Sequence, residues 1–176
     1  GPSGVDNTRD NGFAVAANFM KSFNDVKVMA SAGFMDFGSD SGAFTQPTDL
    51  DSYSVGLRLG TAGFTIAGTY GKEDRVGPQL NAAGVAVGTQ GKSGTQETVG
   101  LGVSYAGGPF AVSLAYVGSE RSNTQEEQDA FELGAKYKLG PGIDVRGSLL
   151  YAEGKDLNGA DEVDGIAIVG GLKLGF

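Results

Sequence analysis

Three residue types with special chemistry are absent from this chain: its 176 residues include no cysteine, no histidine and no tryptophan. Without thiols and imidazoles the chain cannot form disulfides, thiol nucleophiles, zinc fingers or histidine-dependent catalytic triads. Hydroxyl and carboxylate groups remain, but no serine motif occurs and nothing places paired acids across a cleft. We therefore expect a protein that is not an enzyme.

Long hydrophobic stretches are absent as well. A membrane-spanning helix needs about 20 consecutive apolar residues, and no run approaches that length, although 40% of the residues are hydrophobic. This excludes a helical membrane protein. Positive charge is also scarce, with 13 basic against 21 acidic residues and a net charge of −8. Because nucleic acid binds basic surfaces, we expect no nucleic-acid partner.

Glycine, by contrast, is abundant, with 31 residues, and turns separate short runs in which apolar and polar residues alternate. Alternation with period two is typical of β-strands whose two faces meet different surroundings. Each run has about 10 residues, the length that a tilted transmembrane strand needs. The sequence thus predicts an all-β protein. The predicted strands are 12–21, 26–36, 51–60, 62–71, 96–105, 108–118, 129–139, 142–152 and 163–176.

The connections between the predicted strands alternate in length, as in antiparallel up-and-down transmembrane β-barrels. The sequence therefore predicts such a barrel in the bacterial outer membrane, surrounded by lipid and lipopolysaccharide, with its C-terminus on the periplasmic side. The short connections are predicted at 22–25, 61, 106–107 and 140–141. The long connections are predicted at 37–50, 72–95, 119–128 and 154–162.

The predicted number of strands, nine, is odd, whereas bacterial single-chain barrels have an even number. We therefore expect residues 12–176 to be the C-terminal part of a larger barrel, which would pair with N-terminal strands missing from this sequence. Residues 1–11 are expected to be the remnant of an external loop or a cloning scar.

One face of the predicted strands is apolar, and its aromatic residues gather at the strand ends. Two aromatic girdles are typical of a barrel that crosses two membrane interfaces. The alternative, a soluble β-sandwich, would instead place aromatic residues mid-strand in its core. The tyrosines of the predicted girdles are Tyr53, Tyr70, Tyr105, Tyr116, Tyr137 and Tyr151.

The opposite face combines small and polar residues, which do not fill a barrel interior. We therefore expect a wide, water-filled lumen or a lumen occupied by an inserted segment. Cations on this face are expected near the short turns, where fixed charges would select ions. The alternative is a role without ion selectivity, in which these cations only pair with carboxylates or face the periplasm. The pore-lining candidates are Arg58, Lys136, Lys138, Arg146, Lys173 and Lys27.

Acidic residues gather in or beside the predicted long loops and predict an acidic outer vestibule. They include Glu120, Glu126, Glu127, Asp129 and Glu153. Four more offer oxygen ligands for calcium, but their spacing fits no EF-hand loop, so solvated loop charge is the preferred interpretation and no cofactor is expected. These four weak calcium candidates are Asp156, Asp161, Glu162 and Asp164.

Three stretches together resemble the C-terminal region of Gram-negative general-diffusion porins, with the closest likeness to the alphaproteobacterial, Rhodobacter-type branch. They are residues 131–143 (FELGAKYKLGPGI), 145–149 (VRGSL) and 171–176 (GLKLGF). The likeness covers the last three strands well and the rest as architecture.

The resemblance implies a sixteen-stranded barrel, usually a homotrimer, that passes small hydrophilic solutes. It also implies that the barrel-assembly machinery reads the terminal strand, a signal that carries over to Gly171, Leu174 and Phe176. Val169 departs from the family pattern, which prefers a polar residue there.

The sequence therefore predicts an outer-membrane porin, a channel for passive diffusion of ions and small hydrophilic solutes. The alternative is a structural or partner-binding outer-membrane barrel with a plugged lumen. In that case the loops at 37–50 and 72–95 would bind the partner.

Overall fold

The computed structural model describes residues 11–38, 49–77, 91–122, 126–155 and 162–175. They form nine strands in one antiparallel sheet, in which every strand pairs with its neighbours in sequence. This confirms the predicted all-β, up-and-down architecture. The strands are β1 (Asn11–Phe23), β2 (Val26–Gly38), β3 (Asp49–Thr61), β4 (Phe64–Gly77), β5 (Gly91–Gly107), β6 (Phe110–Arg121), β7 (Glu126–Gly140), β8 (Ile143–Lys155) and β9 (Glu162–Leu174).

Tight two-residue turns join the strands along one edge of the sheet, which we call the turn edge. Residues 24–25, 62–63, 108–109 and 141–142 form them. The other connections, 39–48, 78–90, 123–125 and 156–161, belong to the opposite edge, the loop edge, and lie outside the described residues. No helix in the described ranges is long and apolar enough to cross a membrane.

Three predicted turns are displaced by one or two residues, since the turn predicted at 140–141 also forms one residue later, at 141–142. Thr61 belongs to β3 and residues 106–107 belong to β5. The turns form instead where glycine follows, since Gly63 has a φ of 84° and Gly108 a φ of 57°. Glycine adopts such left-handed conformations without a steric penalty, which fixes the turn at these positions.

The strands also extend further towards the loop edge than the sequence predicts. β5 begins at Gly91 instead of residue 96, and β7 begins at Glu126 instead of residue 129. Charged pairs continue the ladder there, with Glu120 directly opposite Glu127. The apolar pattern stops before the backbone pairing does, so the predicted long connections at 119–128 and 154–162 were too long.

Cross-strand pairing divides the side chains into an apolar face and a polar face. Directly paired residues share a face, and Leu57, Gly68, Leu101 and Tyr116 pair in succession across β3 to β6. The register continues this apolar face across the described residues of all nine strands, for example through Val15 on β1 and Ile168 on β9. Lys21 shares it at the turn edge, with its Nζ 5.1 Å from the centre of the Phe23 ring.

Neither face packs against a second layer among the described residues. Leu50, at 5% exposure, is the only described hydrophobic side chain that is buried, whereas Leu101 is 56% exposed and Ile168 is 82% exposed. A β-sandwich would enclose such residues between two sheets. The sandwich alternative is therefore wrong, and the described residues leave the apolar face uncovered.

Aromatic rings border the apolar face at both edges. Near the turn edge, Phe64 lies 4.6 Å from Tyr105 and Phe110 lies 4.7 Å from Tyr137 between ring centres. Near the loop edge, the Tyr116 and Phe131 rings are 4.9 Å apart and the Tyr53 and Tyr70 rings 5.9 Å apart. Tyr151 pairs directly with Phe131. The structure thus places the six predicted tyrosines in two rows on one face.

Candidate functional site

The polar face carries all six predicted pore-lining cations. Each lies in the half of its strand nearest the turn edge. Alternation with period two puts them on the same face as small polar residues such as Ser104 and Ser113. Two groups result, one on β2 and β3 and the other on β7 to β9. The first contains Lys27 and Arg58, and the second contains Lys136, Lys138, Arg146 and Lys173.

The second group, which we call the basic cluster, is concentrated on three neighbouring strands. Lys136 pairs directly with Arg146, and Asp144 stands between Lys138 and Lys173. Asp144 lies among these cations, with its Oδ2 3.4 Å from the Nη2 of Arg146, and Glu132 lines the same depression as Lys136 and Arg146. Four cations against two carboxylates leave a net positive charge, which attracts anions to this part of the polar face.

In the first group, Arg58 is exposed and lies between Met29 and Ala67 in the pairing of β2, β3 and β4. Lys27 is paired with Ser22 and Gly60. Within the described ranges neither side chain has an ion-pair partner. No described carboxylate therefore neutralises these two charges.

Near the loop edge, the polar face carries ion pairs that the sequence analysis missed. Arg121 donates from Nη1 to a Glu126 oxygen at 2.6 Å and from Nη2 to Gln96 Oε1 at 3.0 Å. Arg75 similarly pairs with Glu73. Continuing the period-two pattern of β5 and β6 past residue 118 would have placed Arg121 on this face. Because these cations are paired with carboxylates, the unpaired positive charge lies towards the turn edge.

The prediction of an acidic vestibule is wrong for most of its residues. The register places six of the acids on the apolar face, between the tyrosine row near the loop edge and that edge. Of the described acids in this prediction, only Glu126 lies on the polar face. Glu120, Glu127 and Glu162 were assigned to long connections, but the strands continue through them, so the alternation along each strand decides the face on which they lie. The six are Glu120, Glu127, Asp129, Glu153, Glu162 and Asp164.

These acids instead form a charged rim outside the tyrosine row. The Tyr116 hydroxyl donates to Asp129 at 2.6 Å, and the Tyr151 hydroxyl donates to Glu153 at 2.7 Å. Lys155 bridges to Glu127 at 2.5 Å. The tyrosines thus place their rings against the apolar face and their hydroxyls in the rim, as residues at a membrane interface do.

The calcium candidates are divided between described and undescribed parts of the chain. Glu162 and Asp164 lie in the rim, whereas Asp156 and Asp161 lie outside the described residues. No group of three acidic side chains that could hold a metal ion occurs in the described ranges. Calcium binding by these four residues stays a prediction.

Two residues of the predicted assembly signal, Gly171 and Leu174, lie in the last part of β9. Gly171 pairs with Arg146 on the polar face and Leu174 pairs with Ile143 on the apolar face, while Phe176 lies outside the described residues. The Gly175 amide donates to the Gly142 carbonyl at 2.7 Å. This bond holds the end of the chain at the turn edge.

Comparison with known proteins adds a family and a structural likeness. The family model described as Gram-negative porin matches residues 1–157. A solved structure of a Rhodobacter porin, refined at 1.8 Å resolution, matches with a TM-score of 0.63 and 19% sequence identity. The match covers 94% of this chain and 51% of that one, so the chain spans about half the length of the solved porin. The search of curated proteins found no match.

Proposed function

Because the chain belongs to the Gram-negative porin family, we propose that it forms part of the wall of a water-filled outer-membrane pore for passive diffusion of ions and small hydrophilic solutes. The separation of the two faces supports this most. Over nine strands, one face is apolar between two aromatic rows, and the other carries mostly small and polar residues, with unpaired cations and a few exposed apolar side chains such as Val117 and Val169. Lipid on one side and water on the other satisfy both faces.

Closure of the pore requires further strands. The outer edges of β1 and β9 have no partner strand among the described residues, and hydrocarbon does not tolerate unpaired backbone groups. We infer that the sheet is completed to a larger barrel, for which the family resemblance implies sixteen strands and a homotrimer. The turn edge, with Gly175 held against Gly142, would face the periplasm, and the assembly machinery would read Gly171, Leu174 and Phe176 there.

Selectivity for anions follows from the charge distribution on the polar face. The basic cluster and the pair formed by Lys27 and Arg58 carry the unpaired charge, whereas Arg121 is neutralised by Glu126. Fixed cations raise the local concentration of anions, and salt screens this effect over a Debye length of about 8 Å at physiological ionic strength. The proposed pore thus prefers anions at low salt and loses that preference at high salt.

Single-channel recording tests the proposal. The intact porin, folded in detergent and shown to be heat-modifiable, is inserted into a planar bilayer under a potassium chloride gradient. Stepwise, long-lived openings with a reversal potential on the anion side are expected. A correctly inserted protein that passes no current would favour the alternative, a structural or partner-binding barrel with a plugged lumen.

Neutralising variants test the roles of individual cations. The Arg58→Gln/Arg146→Gln double variant is expected to lower the anion preference at low salt. Arg121→Gln is the matched control, because Arg121 lies on the same face but is already paired with Glu126. If the double variant leaves conductance and selectivity unchanged, the two arginines are merely polar residues of the wall.

A further inference from the structure

The chain has three methionines, and all of them lie on the polar face. Met20 on β1 pairs directly with Met29 on β2, while Met35 lies nearer the loop edge of β2. Met20 is 73% exposed and Met29 is 36% exposed. This pair of exposed thioether side chains presents apolar surface on a face that is mostly small and polar, where water is expected.

Positive charge adjoins this pair. Met29 pairs directly with Arg58, so Met20, Met29 and Arg58 follow one another across β1 to β3. Directly opposed side chains have Cβ atoms about 5 Å apart. Lys27 lies two residues from Met29 on the same face, opposite Gly60. Two unpaired cations and two thioethers therefore lie within reach of one small molecule.

The surroundings leave this part of the wall open. Arg58 is flanked on β4 by Ala67, and its neighbours along β3 on the same face are Gly56 and Gly60. None of these side chains is large enough to cover the guanidinium or to supply it with a carboxylate. The combination of open space, apolar surface and positive charge complements a molecule that has both an anionic and an apolar end.

We propose that Met20, Met29 and Arg58 form a solute subsite for amphipathic organic anions, namely carboxylates with a short alkyl or aryl tail. The planar guanidinium accepts a carboxylate in a two-pronged geometry. The flexible, polarisable methionine side chains adapt to tails of different shape. This inference rests on the proposed function, because solutes reach the polar face only through a pore.

Block of single-channel current by acetate and by hexanoate tests the subsite. Both are added at neutral pH to the intact porin in a planar bilayer, at constant potassium chloride. Hexanoate carries four more methylene groups, and partial burial of these on Met20 and Met29 is expected to lower its half-blocking concentration about tenfold relative to acetate, which corresponds to about 1.4 kcal/mol. Hexylammonium, with a similar tail and the opposite charge, is expected to show no such block.

Variants assign the effect to individual side chains. In Met20→Ser/Met29→Ser, the difference in half-blocking concentration between acetate and hexanoate is expected to fall to about twofold or less, because serine offers the alkyl tail little apolar surface. Met35→Ser, on the same face of β2 but about 20 Å away along the strand, is the control and should retain the advantage. Arg58→Gln should weaken block by acetate and by hexanoate alike.

The outcomes separate this inference from the proposed function. Channels that conduct potassium chloride but bind acetate and hexanoate equally would overturn the subsite and leave the pore intact. The same holds if Met35→Ser abolishes the preference as fully as the double variant does. Absence of any channel from inserted protein would overturn the proposed function, and the subsite with it.

Discussion

Arginine substitutions along β6 test which face meets lipid. Leu114 lies between Phe110 and Tyr116 on the apolar face. Arginine near the middle of the lipid face of a barrel costs about 2–4 kcal/mol. Leu114 is 50% exposed in the sheet, and in the membrane lipid would cover that exposed half. Replacing Leu114 therefore loses about a further 1 kcal/mol of stabilisation from apolar burial. We expect Leu114→Arg to lower the free energy of unfolding by about 3–5 kcal/mol.

Two controls separate face from depth. Ser113→Arg introduces the same charge on the polar face, where Gly134 lies opposite and leaves room; water solvates it, and a loss below about 1 kcal/mol is expected. Glu120→Arg lies on the apolar side but in the rim, opposite Glu97 and Glu127. Its cost at the interface, about 0–1 kcal/mol, is offset because it removes like charges from two cross-strand pairs.

The measurement is guanidinium unfolding of the three variants in lipid vesicles, with the transition followed by tyrosine fluorescence. The order of stability expected is Glu120→Arg and Ser113→Arg near the unmodified protein, and Leu114→Arg far below. Equal losses for Ser113→Arg and Leu114→Arg would refute the assignment of the two faces to water and lipid.

Three further substitutions test local contacts by the same unfolding measurement. Gly142→Ala should lower the free energy of unfolding by about 2 kcal/mol, because Gly142 has a φ of 75° and an added Cβ would lie 2.3 Å from the Gly175 carbonyl oxygen. Gly140→Ala, with open space around it, is the control, and equal losses in the two variants would contradict the role of the turn. Tyr116→Phe should lower the free energy of unfolding by about 1 kcal/mol, because it removes the hydrogen bond to Asp129. Tyr105→Phe should lower it less, and the reverse order would count against the contact in the rim. Ala62→Asn should raise the free energy of unfolding by about 0.5–1 kcal/mol. The reason is that Ala62 has a φ of 47° in a two-residue turn that favours asparagine, and an unchanged stability would argue against that turn geometry.

Much of the architecture could be predicted because period two is a strong signal when the two faces meet different solvents. The alternation of Val99, Leu101 and Val103 with Gly100 and Gly102 fixes both the strand and its facing. Strand ends were predicted less well. Where Glu120 and Glu127 continue the ladder, hydrophobicity no longer marks the strand, although backbone pairing persists.

The candidate site could be predicted only in part, for the same reason. Arg58 and Arg146 lie within regular alternation, so their face could be read from their neighbours. Glu120 and Glu127 were assigned to a long connection, and only the register shows that they lie on the apolar side. The exposed methionine pair was missed because Met20 and Met29 are apolar residues on a face expected to be polar.

The assignment of water to the polar face can be tested most directly by labelling, because the chain contains no native cysteine. Single cysteines at positions 112, 113, 114 and 115 of β6 alternate between the two faces. A water-soluble, membrane-impermeant thiol reagent is added to each variant of the intact porin in lipid vesicles. Rapid labelling at Ser113→Cys and Ala115→Cys, with none at Val112→Cys and Leu114→Cys, is the result that a water-filled pore predicts. Protection of all four positions, or equal labelling of all four, would contradict it.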